Sequence, residues 1–173
     1  MMRPLVCALI SVTALAGCWT GPRFYTAADS VAAVAPGRYR IVSSDGGEQG
    51  EMRVALLPSG LTLFEDESAG KEPAQMGFVP LDPQGLRYVA WPEDLGRDRS
   101  AAEVPYYVLE RDGRDYRMLF PMCTDEMAAA PPAGSVFVKD PKLSQCRFGD
   151  RQSLEAALRG YRSDDAARLI RQD

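Results

Sequence analysis

Three hairpin signals follow one another along the middle of the chain, and they restrict its fold more than any other feature. Leu57-Pro58-Ser59-Gly60 and Asp82-Pro83-Gln84-Gly85 each have proline second and glycine fourth, which is the chemistry of a tight turn. Asp112-Gly113, between two apolar runs, is a strong hairpin signal because glycine supplies the positive φ of a type I′ turn. Consecutive hairpins predict an antiparallel β-meander.

The runs that flank these turns alternate between apolar and polar residues, as β-strands do. The first pair is residues 51–57 and 61–65, and the second is 76–81 and 86–91. The third is residues 104–111 and 114–120. An earlier strand, in which Tyr39 and Ile41 alternate with arginines, precedes a glycine-rich turn. We therefore expect a mainly β fold with about 6–8 strands.

Two of the predicted strands, residues 86–91 and 104–109, are apolar on both faces. A sheet with one face in water alternates more cleanly than this. The meander therefore closes into a small barrel, packs as a sandwich, or is covered by a helix on its second face. The sequence leaves these three arrangements open.

The C-terminal region predicts one or two short helices. Asp150 is placed to cap a helix whose apolar residues recur with helical spacing from Leu154 to Tyr161. Ser163 is placed to cap a second short helix that runs to Arg171, with acidic residues in its first turn. We expect the first helix to pack on the sheet or across one barrel end.

The first 17 residues have the character of an export signal. Arg3 gives a positive start, residues 5–15 are apolar, and Leu15-Ala16-Gly17-Cys18 places small residues directly before a cysteine. The apolar run is shorter than the roughly 20 residues that a membrane-spanning helix needs. The stretch resembles the signal peptide and lipobox of bacterial lipoproteins, and an ordinary cleavable signal is the alternative.

The resemblance implies that residues 1–17 are removed and that Cys18 is lipidated on its sulfur and on its new amine. Several acyl chains would anchor the protein permanently, since each buried methylene contributes about 0.8 kcal/mol. Residues 18–36 hold several helix and strand breakers and predict a tether. A short helix around residues 27–34 is an alternative for part of this segment. Residues 37–173 predict a single β-rich domain with C-terminal helices. Trp19, rather than Asp, after the cysteine favours the outer membrane over the inner one.

Cys123 and Cys146 are the two cysteines that remain once the leader is removed and Cys18 is acylated. An even pair in an exported chain is more often a disulfide than two thiols or half a metal site. We predict this bond, which would stabilise the fold by roughly 3 kcal/mol by restricting the unfolded chain.

Composition narrows the function further. Residues 18–173 hold 19 basic and 24 acidic residues, a net charge of −5 that argues against nucleic acid as a partner. The chain has no histidine, which removes the commonest general base and metal ligand. Ser68-Ala69-Gly70-Lys71 has the S-x-x-K spacing of penicillin-binding proteins, but no S-D-N or K-T-G follows. We expect no catalysis, no cofactor and no metal.

Two sets of side chains remain as candidates for a binding or catalytic site. Acidic residues on separate loops have no spacing that pairs them; they are Asp45, Glu48, Glu93, Asp94 and Asp98. Five aromatic residues of the second and third hairpins either line a ligand pocket or fill the core; they are Tyr88, Trp91, Tyr106, Tyr107 and Tyr116.

The sequence as a whole favours a lipid-anchored protein of the bacterial envelope that faces the periplasm. We expect it to bind or scaffold an envelope protein partner, with the membrane reached through lipid on Cys18. One alternative is a lipocalin-like carrier whose barrel holds a small apolar ligand, which rests on architecture alone. The other is an inhibitor of a wall-degrading enzyme.

Overall fold

The computed structural model describes residues 18–67, 72–93, 103–139 and 144–173. The predicted leader, residues 1–17, and the S-x-x-K stretch, residues 68–71, lie outside these ranges. Within them the chain forms twelve strands, one α-helix and two short 3-10 helices. The strands are β1 (Trp19–Gly21), β2 (Gly37–Val42), β3 (Glu48–Leu56), β4 (Thr62–Asp66), β5 (Ala74–Pro80), β6 (Arg87–Pro92), β7 (Val104–Pro105), β8 (Tyr107–Asp112), β9 (Asp115–Leu119), β10 (Ser135–Lys139), β11 (Ser144–Phe148) and β12 (Ala166–Arg171). The α-helix is α1 (Arg151–Gly160), and the 3-10 helices are Ala27–Asp29 and Asp125–Ala128.

Eight of these strands close into an antiparallel barrel in the order β12-β2-β3-β4-β5-β6-β8-β9. Strands β2 to β6 follow one another as a meander, and β8 pairs with β9. The three predicted hairpins are confirmed, and the turn glycines Gly60, Gly85 and Gly113 have φ of 89°, 65° and 63°. The mainly β prediction is thus confirmed, and the sheet is a closed barrel.

The predicted second C-terminal helix is wrong, because residues 166–171 form strand β12. Ser163 Oγ accepts a hydrogen bond of 3.0 Å from Asp165 N, as a helix cap would, but the chain then extends. Strand β12 pairs with β2 on one side and with β9 on the other. Without it both neighbours would present an unpaired edge, so pairing on two sides outweighs the local helical signal.

Side chains fill the barrel interior and form the first of two hydrophobic cores. Buried members of this barrel core are Ala33, Val34, Tyr39, Ile41, Met52, Val54, Phe64, Phe78, Tyr88, Ala90, Leu109, Tyr116, Met118 and Leu169. Tyr39 meets Tyr116 edge to face with ring centroids 6.0 Å apart. The interior is therefore packed by rings and aliphatic chains in contact with one another.

A second sheet and helix α1 cover one side of the barrel from the outside. The sheet has the order β10-β11-β1-β7, with β1 parallel to β11 and antiparallel to β7. Between these elements and the barrel wall lies the outer core, whose buried members are Trp19, Tyr25, Val79, Leu81, Val89, Trp91, Val104, Tyr106, Val108, Leu119, Cys123, Cys146, Phe148, Leu154, Leu158 and Ala166. One stretch of barrel wall thus separates two cores.

This shared wall explains the strands that are apolar on both faces. In β6, Tyr88 and Ala90 belong to the barrel core, whereas Val89 and Trp91 belong to the outer core. Successive side chains of a strand point to opposite faces, so all four of these residues are buried, on one side or the other. Gly77 lies opposite Trp91 in β5, and an added Cβ there would come within 2.1 Å of the indole.

The predicted tether is also wrong, because residues 18–36 belong to the fold. Trp19 lies in β1 and is buried in the outer core. Residues 22–36, which we call the N-terminal strap, run along the barrel from the outer core to the barrel core. Tyr25 is buried in the first and Val34 in the second. The breakers resemble those of a linker, but burying these side chains stabilises an ordered path.

The strap is also fixed to the barrel midway along its length. Val31 N donates to Phe78 O at 2.9 Å, and Phe78 N donates to Ser30 Oγ at 3.1 Å. Phe78 lies beyond the residues of β5 that pair with β4. The strap therefore takes the place of a neighbouring strand at this point of the wall.

Helix α1 is the predicted first helix. The Asp150 side chain accepts a hydrogen bond of 2.8 Å from Ser153 N, as the sequence led us to expect of a cap. Leu154 and Leu158 are fully buried in the outer core. In the part of the chain that the structure describes, no helix has the length and apolar character needed to cross a membrane.

Arg87 of strand β6 attaches the end of this helix to the barrel. Its guanidinium donates to Leu158 O at 3.2 Å and to Tyr161 O at 2.8 Å. The last carbonyls of a helix have no partner within the helix and carry partial negative charge, so a cation stabilises them.

Candidate functional site

Cys18, the candidate lipidation site, lies at the end of the barrel where β9 ends. It forms an isolated antiparallel bridge with Met122, and Trp19 N donates to Pro121 O at 3.2 Å. Cys18 is 4% exposed, and burial raises the pKa of its thiol to about 11. Burial also raises the pKa of Tyr107, and the nearby Cys18 thiol adds to that shift. The candidate lipidation site is therefore joined directly to the folded domain.

The predicted disulfide between Cys123 and Cys146 is present. Cys123 lies four residues after the end of β9, and Cys146 lies in β11 beside Trp19 of β1. Both cysteines are buried in the outer core. The bond thus ties the barrel to the small sheet and to the segment that leads into helix α1.

The five candidate ligand-binding aromatics do not share one pocket. Tyr88 and Tyr116 lie in the barrel core, and Tyr107 packs against it. Trp91 and Tyr106 lie on the other side of the wall, in the outer core. A site lined by all five, which the sequence left open, is not formed because alternate residues face opposite sides.

Two of these tyrosines hold the strap through their hydroxyl groups. Tyr106 Oη donates to Pro22 O at 2.6 Å and accepts from Phe24 N at 3.0 Å. Tyr116 Oη accepts a hydrogen bond of 3.1 Å from Ala35 N. A buried hydroxyl needs a partner, and here the backbone of the strap supplies it at both ends.

Tyr25 is one of the buried residues that sequence reasoning missed. Its ring stacks on Trp91 with centroids 5.0 Å apart, and the Arg151 guanidinium lies 4.5 Å from its centroid. Tyr25 Oη donates to Glu155 Oε1 at 3.0 Å. Burial and the Glu155 carboxylate raise the pKa of Tyr25. The signal was present in the sequence, because Phe24-Tyr25 is an aromatic pair in a segment assigned to solvent.

Glu155 completes this cluster. Burial acts to raise the pKa of its carboxyl, but hydrogen bonds from Arg151 and Tyr25 lower it on balance. Arg151 and Arg159 also form ion pairs with Glu155 one helical turn away on each side, at 2.8 and 3.0 Å. The charged groups and the hydroxyl of the cluster are paired with one another, and they attach the strap to helix α1.

A shallow groove of about 390 Å³ lies outside the barrel, beside helix α1. It is lined by Trp19, Pro132, Ala133, Ala156, Ala157, Gly160 and Tyr161. Trp19 and Tyr161 meet edge to face with centroids 5.2 Å apart. The groove is mostly apolar. None of the five candidate aromatics lines it, although it lies on the same outer core as Trp91 and Tyr106.

The candidate acidic residues do not converge in the described ranges, and Asp94 and Asp98 lie outside them. Hydrogen bonds from the Ser43 hydroxyl and from a backbone N–H lower the pKa of Asp45. Glu48 pairs with Arg40 at 3.5 Å, and Glu93 pairs with Arg23 at 2.9 Å. Among the described residues, no group of three or more metal-ligating acids and cysteines is found.

These residues give a closed barrel, a covering layer tied to it by a disulfide, and a cysteine held at one barrel end. No protein-family model matches the chain, and no curated protein or solved structure shows significant similarity to it.

Proposed function

We propose that the protein is a bacterial envelope lipoprotein, anchored through Cys18, whose folded domain binds or scaffolds an envelope partner without catalysis. The observation that carries the proposal is Leu15-Ala16-Gly17-Cys18 at the end of a charged and apolar leader. The disulfide supports it, because such bonds persist in compartments outside the cytoplasm. The domain faces the periplasm, and Trp19 after the cysteine favours the outer membrane.

Lipidation precedes folding in this proposal. The thiolate is the reactive form of cysteine, whereas the Cys18 thiol of the folded domain is buried and has a pKa of about 11. In the transfer, the sulfur displaces the phosphorylated headgroup of a diacylglycerol phospholipid. A C–S bond forms, the C–O bond to phosphate breaks, and the thiol proton is released. The unfolded chain at the membrane is therefore the substrate.

The packed barrel core supports binding by the outer surface over the carrier alternative. A carrier needs a cavity with room for its ligand. Here Tyr39, Phe78 and Tyr116 are buried inside the barrel in contact with their neighbours. An inhibitor of a wall-degrading enzyme would belong to the same binding class, and inhibition of a lysozyme by the purified domain would assign the protein to it.

Metabolic labelling with an alkyne fatty acid tests the anchor. The wild-type protein should take up the label and start at residue 18, with the mass of an acylated cysteine. A Cys18→Ala variant should take up no label and leave the membrane fraction. A Cys7→Ala variant is the matched control, because this leader cysteine should be dispensable for labelling. Recovery of native protein with Met1 intact, or with Cys18 unmodified, would contradict the proposal.

Crosslinking in the intact envelope tests the binding role. The wild-type protein should form a discrete crosslinked species with another envelope protein, which mass spectrometry can identify. Recovery of the anchored protein as a monomer under the same conditions would contradict a binding or scaffolding role.

A further inference from the structure

We infer that one end of the barrel rests against the lipid headgroups in a fixed orientation, an inference that depends on the proposed lipidation of Cys18. The proximal end of the barrel holds the turn between β2 and β3 and the C-terminal end of β9, next to Cys18. The distal end holds the turn at residues 57–60 and the turn at Gly113. The surface that results is a membrane-contact face whose partner is the headgroup layer of a bilayer.

The fold has no flexible linker between the lipidated cysteine and the domain. Trp19 N donates to Pro121 O at 3.2 Å, and Tyr106 N donates to Trp19 O at 3.0 Å. Thr20 pairs with Arg147 in the parallel register of β1 and β11. A mobile tether of 18 residues would let the domain stand roughly 20–25 Å from the membrane, but here the first residue after the cysteine is part of a sheet.

Side-chain contacts, as well as backbone hydrogen bonds, hold residue 19 against the domain. The Trp19 ring lies 5.4 Å from Phe148 and 5.2 Å from Tyr161, measured between centroids. Met122, which bridges to Cys18, is followed directly by the disulfide cysteine Cys123. Movement of residue 19 away from the domain would therefore have to break contacts of the outer core.

The chemistry around Cys18 suits a headgroup layer. Met122 is 45% exposed, although it is a large apolar side chain next to the attachment point. Charged residues of the neighbouring segments form ion pairs, Arg23 with Glu93 at 2.9 Å and Arg147 with Glu103. An apolar residue beside these two ion pairs can approach the interface without separating either pair.

The length of strand β3 gives the distance between the two barrel ends, because the strand runs from the proximal end to the distal end. Its nine residues, Glu48–Leu56, cover about 27 Å along the strand at roughly 3.3 Å per residue. A strand tilt of roughly 40° leaves about 20 Å along the barrel axis. Ser44 and Ser59 lie in exposed turns before and after this strand, so they mark the two ends.

The experiment measures energy transfer from each end to the bilayer. Ser44→Cys and Ser59→Cys are matched substitutions of exposed serines, and each new thiol carries a donor dye. The acylated protein is purified from membranes and reconstituted into vesicles of phosphatidylethanolamine and phosphatidylglycerol that carry acceptor dye on their headgroups. Transfer falls steeply with distance, so we expect a markedly higher efficiency from residue 44 than from residue 59.

A linker variant separates the inferred orientation from the anchor itself. Twelve Gly-Ser residues inserted between Cys18 and Trp19 have an average span of about 20 Å and should remove most of the difference. Equal transfer from both ends without the linker, or an undiminished difference with it, would overturn the inferred orientation while leaving the anchor intact. Failure of every variant to stay with membranes would instead overturn the proposed lipidation.

Discussion

The barrel core and the outer core share one wall of strands, but they are assembled from different parts of the chain. The barrel core is made mostly by strands that are neighbours in sequence, from β2 to β6 and from β8 to β9. The outer core joins distant segments, as when Trp19 pairs with Cys146 and Tyr25 bonds to Glu155. Local hairpins therefore specify the barrel, whereas the covering layer depends on long-range contacts and a covalent bond.

The largest loss of stability should come from removing a buried ring from either core, next to the wall that the two cores share. Phe78→Ala in the barrel core and Trp91→Ala in the outer core each remove a fully buried ring. Each substitution should lower the free energy of unfolding by about 3–5 kcal/mol, because lost transfer energy adds to the cost of a cavity. Urea unfolding followed by far- and near-ultraviolet circular dichroism measures both.

The same pair of variants shows whether the cores unfold as one unit. If they do, the two spectral regions should report one transition in each variant. A Trp91→Ala protein that keeps its stability within about 1 kcal/mol of the wild type would show that the outer core adds little.

Loss of the disulfide should act on the outer core with the next largest effect. A Cys123→Ala/Cys146→Ala double variant should lose roughly 3 kcal/mol of stability, since the unfolded chain gains freedom. Reductant should shift the urea midpoint of the wild type in the same direction. It should leave the double variant unchanged, and a shift there would mean that the effect is not due to this bond.

Substitution of two arginines compares the part of the barrel wall that the second sheet and α1 cover with the part that faces solvent. Arg87 contacts the carbonyls at the end of α1 and is 15% exposed, whereas Arg38 pairs with Glu51 and Glu67 and is 58% exposed. Arg87→Met should cost about 1.5–3 kcal/mol, because charged hydrogen bonds are lost in a sheltered place. Arg38→Met should cost less than about 1 kcal/mol. Equal losses in urea unfolding would remove the distinction between the walls.

A smaller and gradual effect should appear in alkaline solution. Burial raises the pKa of Tyr39 in the barrel core and of Tyr106 in the outer core from 10.0 to about 12. Because the folded pKa lies above the unfolded one, this stability is fully present below pH 10 and is lost as the pH rises toward 12. Phenolate absorbance and ellipticity should therefore change together.

Removing each hydroxyl shows which core responds. Tyr39→Phe and Tyr106→Phe should each weaken the dependence of stability on pH between 10 and 12. If ionisation of all the tyrosines were complete before ellipticity changed, the buried rings would not be coupled to folding.

The hairpins were predictable because each rests on a turn of four residues, and helix α1 because its cap and apolar spacing are local. Strand β12 was not, since Ser163, three residues before it, accepts a hydrogen bond from Asp165 N as a helix cap would. The pairing of β12 with its two neighbouring strands decides otherwise. The strap was missed for the same reason, because Tyr25 and Val34 find their partners far along the chain. Sequence spacing records such partners only weakly.

The candidate site divides in the same way. The proposal for Cys18 rests on the four residues 15–18, and the disulfide was predicted by counting the cysteines outside the predicted leader. The burial of Cys18 depends on its bridge to Met122, about a hundred residues later, and no local pattern announces it. The separation of Trp91 and Tyr106 from Tyr88 and Tyr116 was accessible, because strand alternation already assigns them to opposite faces.

Strand β12 follows every other barrel strand in the sequence, yet it lies between β2 and β9. Until this last strand is in place, the other barrel strands form an open sheet with two unpaired edges, on β2 and on β9. Such intermediates aggregate readily with one another. If lipidation of Cys18 precedes folding, as proposed above, the anchor is in place throughout the interval in which both edges are unpaired.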